Sequence, residues 1–355
     1  MAVHSLGNFP DIFMAEIAGQ PDAIRRAAAA AAEQADAMAA LGDELRRRTR
    51  VVLTGMGSSY DACYPAATRL AAAGVLATMV DAAELLHFRL DALGPDTLLV
   101  CVSQSGESAE TVRVVRALRD RGDGPFIAAV TNGTGSTLAR LADRNLDTRG
   151  GEEHGPSTMT FAATLVMMAA LTRSLSGRKP ALAADAEAAA VAAARLLADP
   201  ESTARALAEW LGDRPVLALL GRGESRAAAE MGALTLKEAA RFPAESLQAA
   251  QFRHGPLELA GPELAAVIFA SEVRTRALDT GLAAELATAG AAVLVISPDG
   301  AAPDGAMGVA TGELAGGISS AVSILPVQLL SWALARSRGL EPGTYTIASK
   351  VTTHE

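Results

Sequence analysis

Four small polar side chains crowd one short stretch, CVSQSGESAET at residues 101 to 111, where Ser103, Gln104, Ser105 and Ser108 surround Gly106. An apolar run ends at Val102 and a helical pattern follows, so the stretch is a strand-to-helix loop. Loops of that kind bind anions. The first backbone N–H groups of a helix are unpaired and carry the positive end of its dipole, and serine hydroxyls add donors without bulk. The loop GMGSS at 55 to 59 offers Ser58 and Ser59 after another apolar run. A single serine before a helix is ordinarily an N-cap, but S-Q-S-G-E-S after a buried strand reads as a phosphate cradle. Neither loop is a nucleotide motif. No G-x-x-x-x-G-K-[ST] occurs, the G-x-G-x-x pattern lacks a third glycine, and Asp81 does not rescue it.

Lysine is the second chemical clue. It occurs only at Lys179, Lys237 and Lys350, every other member of the 31 Lys+Arg being arginine. Chain ends fray unless tied down, yet Lys350 sits in the terminal ASKVTTHE, residues 348 to 355. On the residues alone it is a solvated tail residue or an amine kept for chemistry. Lysine, unlike arginine, can lose its proton and attack a carbonyl.

These groups need rigid elements to hold them. The apolar, β-branched run VVLTG (51–55) precedes a helical pattern to about Ala73, and the unit recurs at TLLVCV and FIAAVT. Such runs are too continuous to have a solvent face, as in a parallel sheet covered on both sides. The pattern restarts at VLALLGRGES (216–225), AAVIFA (265–270) and AAVLVISPDG (291–300), and LTGMGSS (53–59) is echoed by LLGRGES (219–225). A duplicated α/β domain is expected. The boundaries read as an N-terminal helical segment 1–48, a first domain 49–195, a second 196–339 and a tail 340–355.

Composition narrows the class. The chain has 355 residues, 20% charged and 50% apolar, with mean hydropathy +0.23, which describes well-packed globular domains. Its net charge of −9 is spread without a basic block, so no nucleic-acid partner is expected. FAATLVMMAAL (161–171) is shorter than the ~20 residues that span a bilayer and reads as a buried helix. MAVHSLGNFPDIFM has no secretory pattern; a cytoplasmic protein without membrane partners is expected. Cys63 and Cys101 make neither a disulfide framework nor a zinc spacing, and no metal or cofactor is expected.

These motifs resemble the sugar isomerase (SIS) family, in particular the tandem isomerase portion of glucosamine-6-phosphate synthase and the related glucosamine-6-phosphate deaminases and fructosamine-6-phosphate deglycases. MAEIAGQPDAI (14–24), GMGSSY (55–60), SQSGES (103–108), GPSTMTF (155–161), GRGESRAAAEMGALTLKE (221–238), AESLQAAQFRHGPLEL (244–259) and the K-V-T of the tail follow the family order along nearly the whole chain. The resemblance implies two tandem SIS domains, each a parallel sheet flanked by helices in a flavodoxin-like three-layer sandwich. It puts Ser58, Ser59, Ser103, Gln104, Ser105 and Ser108 around a sugar 6-phosphate, and Ser157 and Thr158 near the open-chain sugar. It makes Glu238 the acid that moves a proton between C1 and C2. His254 becomes the ring-opening histidine, contributed by the partner of a homodimer. Lys350 becomes the lysine that reaches over the substrate and can form a Schiff base.

Read in isolation, Glu238 is a helix-surface acid beside Arg241, and His254 a loop histidine before Gly255-Pro256. The chain also departs from the pattern. Thr235 stands where the synthase has a second lysine, Met159 replaces the lysine of its S-T-K loop, and Met56 replaces a small residue. No glutaminase segment precedes the leading helix, so glutamine is not the expected ammonia source unless another chain supplies it. The expected activity is aldose–ketose isomerisation or deamination of an amino-sugar 6-phosphate, with deglycation of a fructosamine 6-phosphate as the alternative. A phosphosugar-binding sensor would need the serines but not Glu238, His254 and Lys350.

Overall fold

The computed structural model describes residues 11 to 354; the first ten residues, part of the stretch read as lacking a secretory leader, and Glu355 lie outside that range. The apolar runs are the centres of two parallel five-stranded sheets. The first contains β1 (Arg50–Thr54), β2 (Ala77–Met79), β3 (Thr97–Val102), β4 (Phe126–Thr131) and β5 (Arg144–Asp147), in the order β2-β1-β3-β4-β5. The second contains β6 (Val216–Gly221), β7 (Ala244–Gln248), β8 (Leu264–Phe269), β9 (Ala292–Ser297) and β10 (Met307–Ala310), in the order β10-β9-β8-β6-β7. Read from β7, the second order repeats the first. The duplication suggested by the two G-x-G loops is therefore a duplication of topology.

Every residue of β3 and of β8 is buried, which is why their sequences show no alternation. Around the first sheet the core gathers Leu99, Cys101, Val114, Leu118 and Ile127; around the second, Leu220, Phe252, Ile268, Leu282 and Val295. The helix Met159–Leu175 contains FAATLVMMAAL, and all its residues except Met159 and Arg173 are buried.

The chain divides into two compact units. The first lobe comprises Asp22–Glu152, Met159–Glu187 and the tail from Ile347; the second comprises the segment ending at Pro21, Glu153–Thr158 and Ala188–Thr346. The leading helix Ile12–Ala18 thus belongs to the second lobe, where it packs against the helix Leu325–Ser337. It buries Phe13, Met14 and Ile17. Asp11 caps it by accepting the Met14 N–H at 2.8 Å and also accepts the Trp332 indole N–H at 2.8 Å. Gln20 Nε2 donates to Gln328 Oε1 at 2.6 Å, both side chains being buried.

Candidate functional site

In the first lobe the sheet order reverses between β1 and β3, and ligands of open α/β sheets sit beyond the strand ends at such a point. The two serine loops leave the sheet there. Gly55 begins one of them at a place where a Cβ would come within 2.7 Å of the Val102 carbonyl. Gly106 turns the other with φ +64°, where a side chain would collide with Ser136. Several serines brace the loops themselves. Ser103, 1% exposed, accepts the Gly106 N–H at 3.1 Å and lies 3.2 Å from the Ser108 hydroxyl. Ser105 accepts the Glu107 N–H at 3.1 Å, and Ser59 accepts the Gln104 N–H at 3.3 Å, joining the loops. Ser58, Ser59, Gln104, Ser105 and Ser108 remain half-buried. The six residues named from the sequence are thus gathered at two adjacent strand ends.

The tail joins them. The Thr352 carbonyl accepts the Ala109 N–H at 3.1 Å, at the start of the helix Ala109–Arg121 that follows the cradle. Lys350 stands two residues earlier, half-buried.

The second lobe gathers acids. Glu238 lies half-buried on the helix Arg226–Ala240, with Lys237 exposed beside it. Glu153, 8% exposed, accepts both the N–H and the hydroxyl of Thr158, at 2.7 and 2.9 Å. Thr158 is fully buried and Ser157 half-buried. Glu16, from the leading helix, accepts the N–H groups of His154 and Gly155, the latter at 3.1 Å. Tyr345 is half-buried, and burial, then the charges of Glu238, Glu153 and Glu16, hold its phenol above the ordinary tyrosine value. The sequence reading missed Tyr345, Glu153 and Glu16. Only Glu16 left a signal there, as a charge at i+3 between Phe13 and Ile17 on an apolar helix face.

His254 is exposed on the second lobe, its N–H donating to the Gln251 carbonyl at 2.9 Å. In that lobe the loops equivalent to the cradle carry acids, Glu224 and Glu272, next to their serines Ser225 and Ser271. The Glu224 N–H donates to Glu272 Oε1 at 3.0 Å, and Arg222 pairs with the buried Asp279 at 2.6 Å. Those carboxylates make the second pair of loops a poor anion site. Burial pushes the Cys101 thiol up to about 12 and that of Cys63 higher still, so neither is a nucleophile at neutral pH. Among the described residues no group of three or more His, Cys, Asp or Glu could hold a metal ion, and no helix is long and apolar enough to cross a membrane.

Two duplicated parallel sheets with a serine loop at the first switch point define a tandem sugar-isomerase architecture, and the family model described as the SIS domain matches residues 44–174 and 213–331. The chain belongs to the SIS family. It is 30% identical over 359 residues to the glutamine–fructose-6-phosphate aminotransferase (isomerizing) of Pyrobaculum aerophilum, covering 98% of this chain and 58% of that protein. The chain thus spans little more than half the length of this curated relative. Its fold is similar to the C-terminal domain of glucosamine-fructose-6-phosphate aminotransferase from Francisella tularensis (TM-score 0.83, 22% identity, 96% of this chain and 100% of that one). It is also similar to tagatose-6-phosphate ketose/aldose isomerase from Escherichia coli (TM-score 0.79, 21% identity, 96% of each chain).

Proposed function

We infer that the chain is an aldose–ketose isomerase of an amino-sugar 6-phosphate, releasing ammonia from it as a deaminase does. The observation that carries this reading is the SQSGES loop at the β1/β3 switch point, built of neutral donors and braced by its own serines. The sugar amine is drawn from the similarity to the Pyrobaculum aerophilum relative, an isomerizing aminotransferase. In this reading Ser58, Ser59, Gln104, Ser105 and Ser108 hold the 6-phosphate, while Ser103 shapes their loop. Ser157 and Thr158 read the sugar hydroxyls.

Glu238 moves the proton between C1 and C2. A half-buried carboxylate is the kind of group that work requires. His254, exposed as a group that serves another chain would be, opens the ring in a second copy, and Lys350 engages the C2 carbonyl.

The test is to follow ammonia release and ketose formation from glucosamine 6-phosphate with wild type and Glu238→Gln. Loss of the shuttle is expected to lower kcat by about 10²-fold or more, with phosphosugar binding kept. Tight binding without turnover by the wild type on any hexosamine or fructosamine 6-phosphate would replace the enzyme with a sensor.

A further inference from the structure

Opening a cyclic sugar breaks the bond between the anomeric carbon and the ring oxygen. The anomeric hydroxyl gives up its proton, its O–H pair becomes the second bond of the carbonyl, and the ring oxygen takes a proton as it leaves. One imidazole can serve both oxygens only if it is held in place. His254, read above as that group, is exposed. Packing does not hold an exposed side chain, so the backbone that presents it has to.

That backbone hangs from the end of an edge strand. Just before His254 runs a helix of four residues, Ala249–Phe252, a single turn with no stability of its own. Phe252 anchors it by being fully buried in the core of the second lobe. Gln248 completes it. This last residue of β7, in register with Gly221 of β6, accepts the N–H groups of Ala250 at 2.6 Å and Gln251 at 2.9 Å on its side-chain carbonyl. Within the helix those N–H groups have no partner. Shorter side chains are the usual caps; glutamine has the reach to cap from a residue still paired in the strand.

The constraint passes directly to the histidine. Gln251 gives its N–H to Gln248 and accepts the His254 N–H on its carbonyl at 2.9 Å, so cap and histidine stand two hydrogen bonds apart. Beyond His254, Gly255 turns the chain with φ +123°, and its carbonyl accepts the Glu258 N–H at 3.0 Å, closing the next turn, Pro256–Leu259. The one ion pair of the loop, Arg253 with Glu285 at 2.7 Å, has both partners largely in solvent and adds little. The cap is the stronger brace.

We propose that Gln248 is a positioning residue for ring opening, its side-chain carbonyl setting the turn that presents His254; this rests on the reading in which His254 opens the ring. Without the cap two helix amides lose their acceptor and the turn frays. The imidazole then keeps its chemistry but loses its place, and a displacement of about 1 Å is enough to cost up to about 10²-fold in rate. Proton movement between C1 and C2 is spared, because it belongs to Glu238 on a different element, the helix Arg226–Ala240.

Two ketoses separate the steps on the full chain. Fructose 6-phosphate, the ketose left when glucosamine 6-phosphate loses its amine, closes through its C5 hydroxyl; 5-deoxyfructose 6-phosphate lacks that hydroxyl and stays open. Deuterium entering C1 from heavy water, followed by nuclear magnetic resonance, reads both. Gln248→Ala is expected to slow exchange of fructose 6-phosphate about tenfold or more while the open ketose stays within about twofold of wild type. Gln248→Glu keeps an acceptor at the same reach and is expected to restore the rate, and His254→Ala to show the same split more strongly. Equal losses on both ketoses would make Gln248 a general support of the fold and overturn the proposal. So would a rate that Gln248→Glu does not restore, or an unslowed Gln248→Ala beside a slowed His254→Ala. A His254→Ala protein that exchanges both ketoses like wild type overturns the histidine's role together with the proposal, and a wild type that exchanges neither overturns the isomerase reading itself.

Discussion

Glu16 is a carboxylate on an otherwise apolar helix face, 5% exposed between Phe13 and Ile17, and its oxygens take the N–H groups of two consecutive loop residues. Glutamine keeps the shape but offers one acceptor where two N–H groups point. The orphaned amide and the lost charge assistance cost about 1–3 kcal/mol. Glu16→Gln is therefore expected to unfold at lower denaturant and to speed amide hydrogen exchange across residues 153–158, while phosphate affinity stays as in wild type. Unchanged protection of that loop would show that Glu16 does not hold it. Glu16, Glu153 and Tyr345 come from three distant parts of the chain. Their juxtaposition is a tertiary fact that no local pattern encodes, whereas the serine cluster is legible because its residues are neighbours in sequence.

At the scale of elements, the six strands read from the sequence are the inner ones, and the four it missed, β2, β5, β7 and β10, are all edges. An edge strand pairs on one side only and needs no continuous apolar run. ATM and RNLD are too short or too polar to show one. The serine loop also relies on a neighbour the sequence did not suggest. Glu107 accepts the Thr137 N–H at 2.7 Å and so ties SQSGES to the start of the helix Thr137–Leu141. That bond, first among the causes, holds the Glu107 carboxyl below its ordinary value of 4.5. A depressed folded value means the stabilisation is complete above 4.5 and fades as pH falls through the lower folded value. The side chain is exposed, so the effect is no more than about 1 kcal/mol. Glu107→Gln is expected to lower stability by that amount at neutral pH in urea titrations, the gap to wild type closing in acid. A gap that persists in strong acid would assign the effect to packing instead of charge.

For the molecule as a whole, the charge of −9 sets a field that opposes a phosphate ester. The donors within SQSGES itself are backbone amides, serine hydroxyls and the Gln104 amide, none of them charged. Hydrogen-bonded capture of this kind is short in range, while the repelling field is long in range and is screened beyond about 10 Å at 0.1 M salt. Raising sodium chloride from about 0.02 to about 0.2 M should therefore leave the affinity for glucosamine 6-phosphate unchanged or slightly tighter, where a site built on several arginines would weaken steeply. Calorimetry reads this directly and gives the stoichiometry as well, expected at one ligand per chain because Glu224 and Glu272 fill the second lobe's equivalent loops. A tenfold loss of affinity with salt would move the phosphate to a cationic site elsewhere. Two ligands per chain would mean that the acidic loops of the second lobe do not exclude anions.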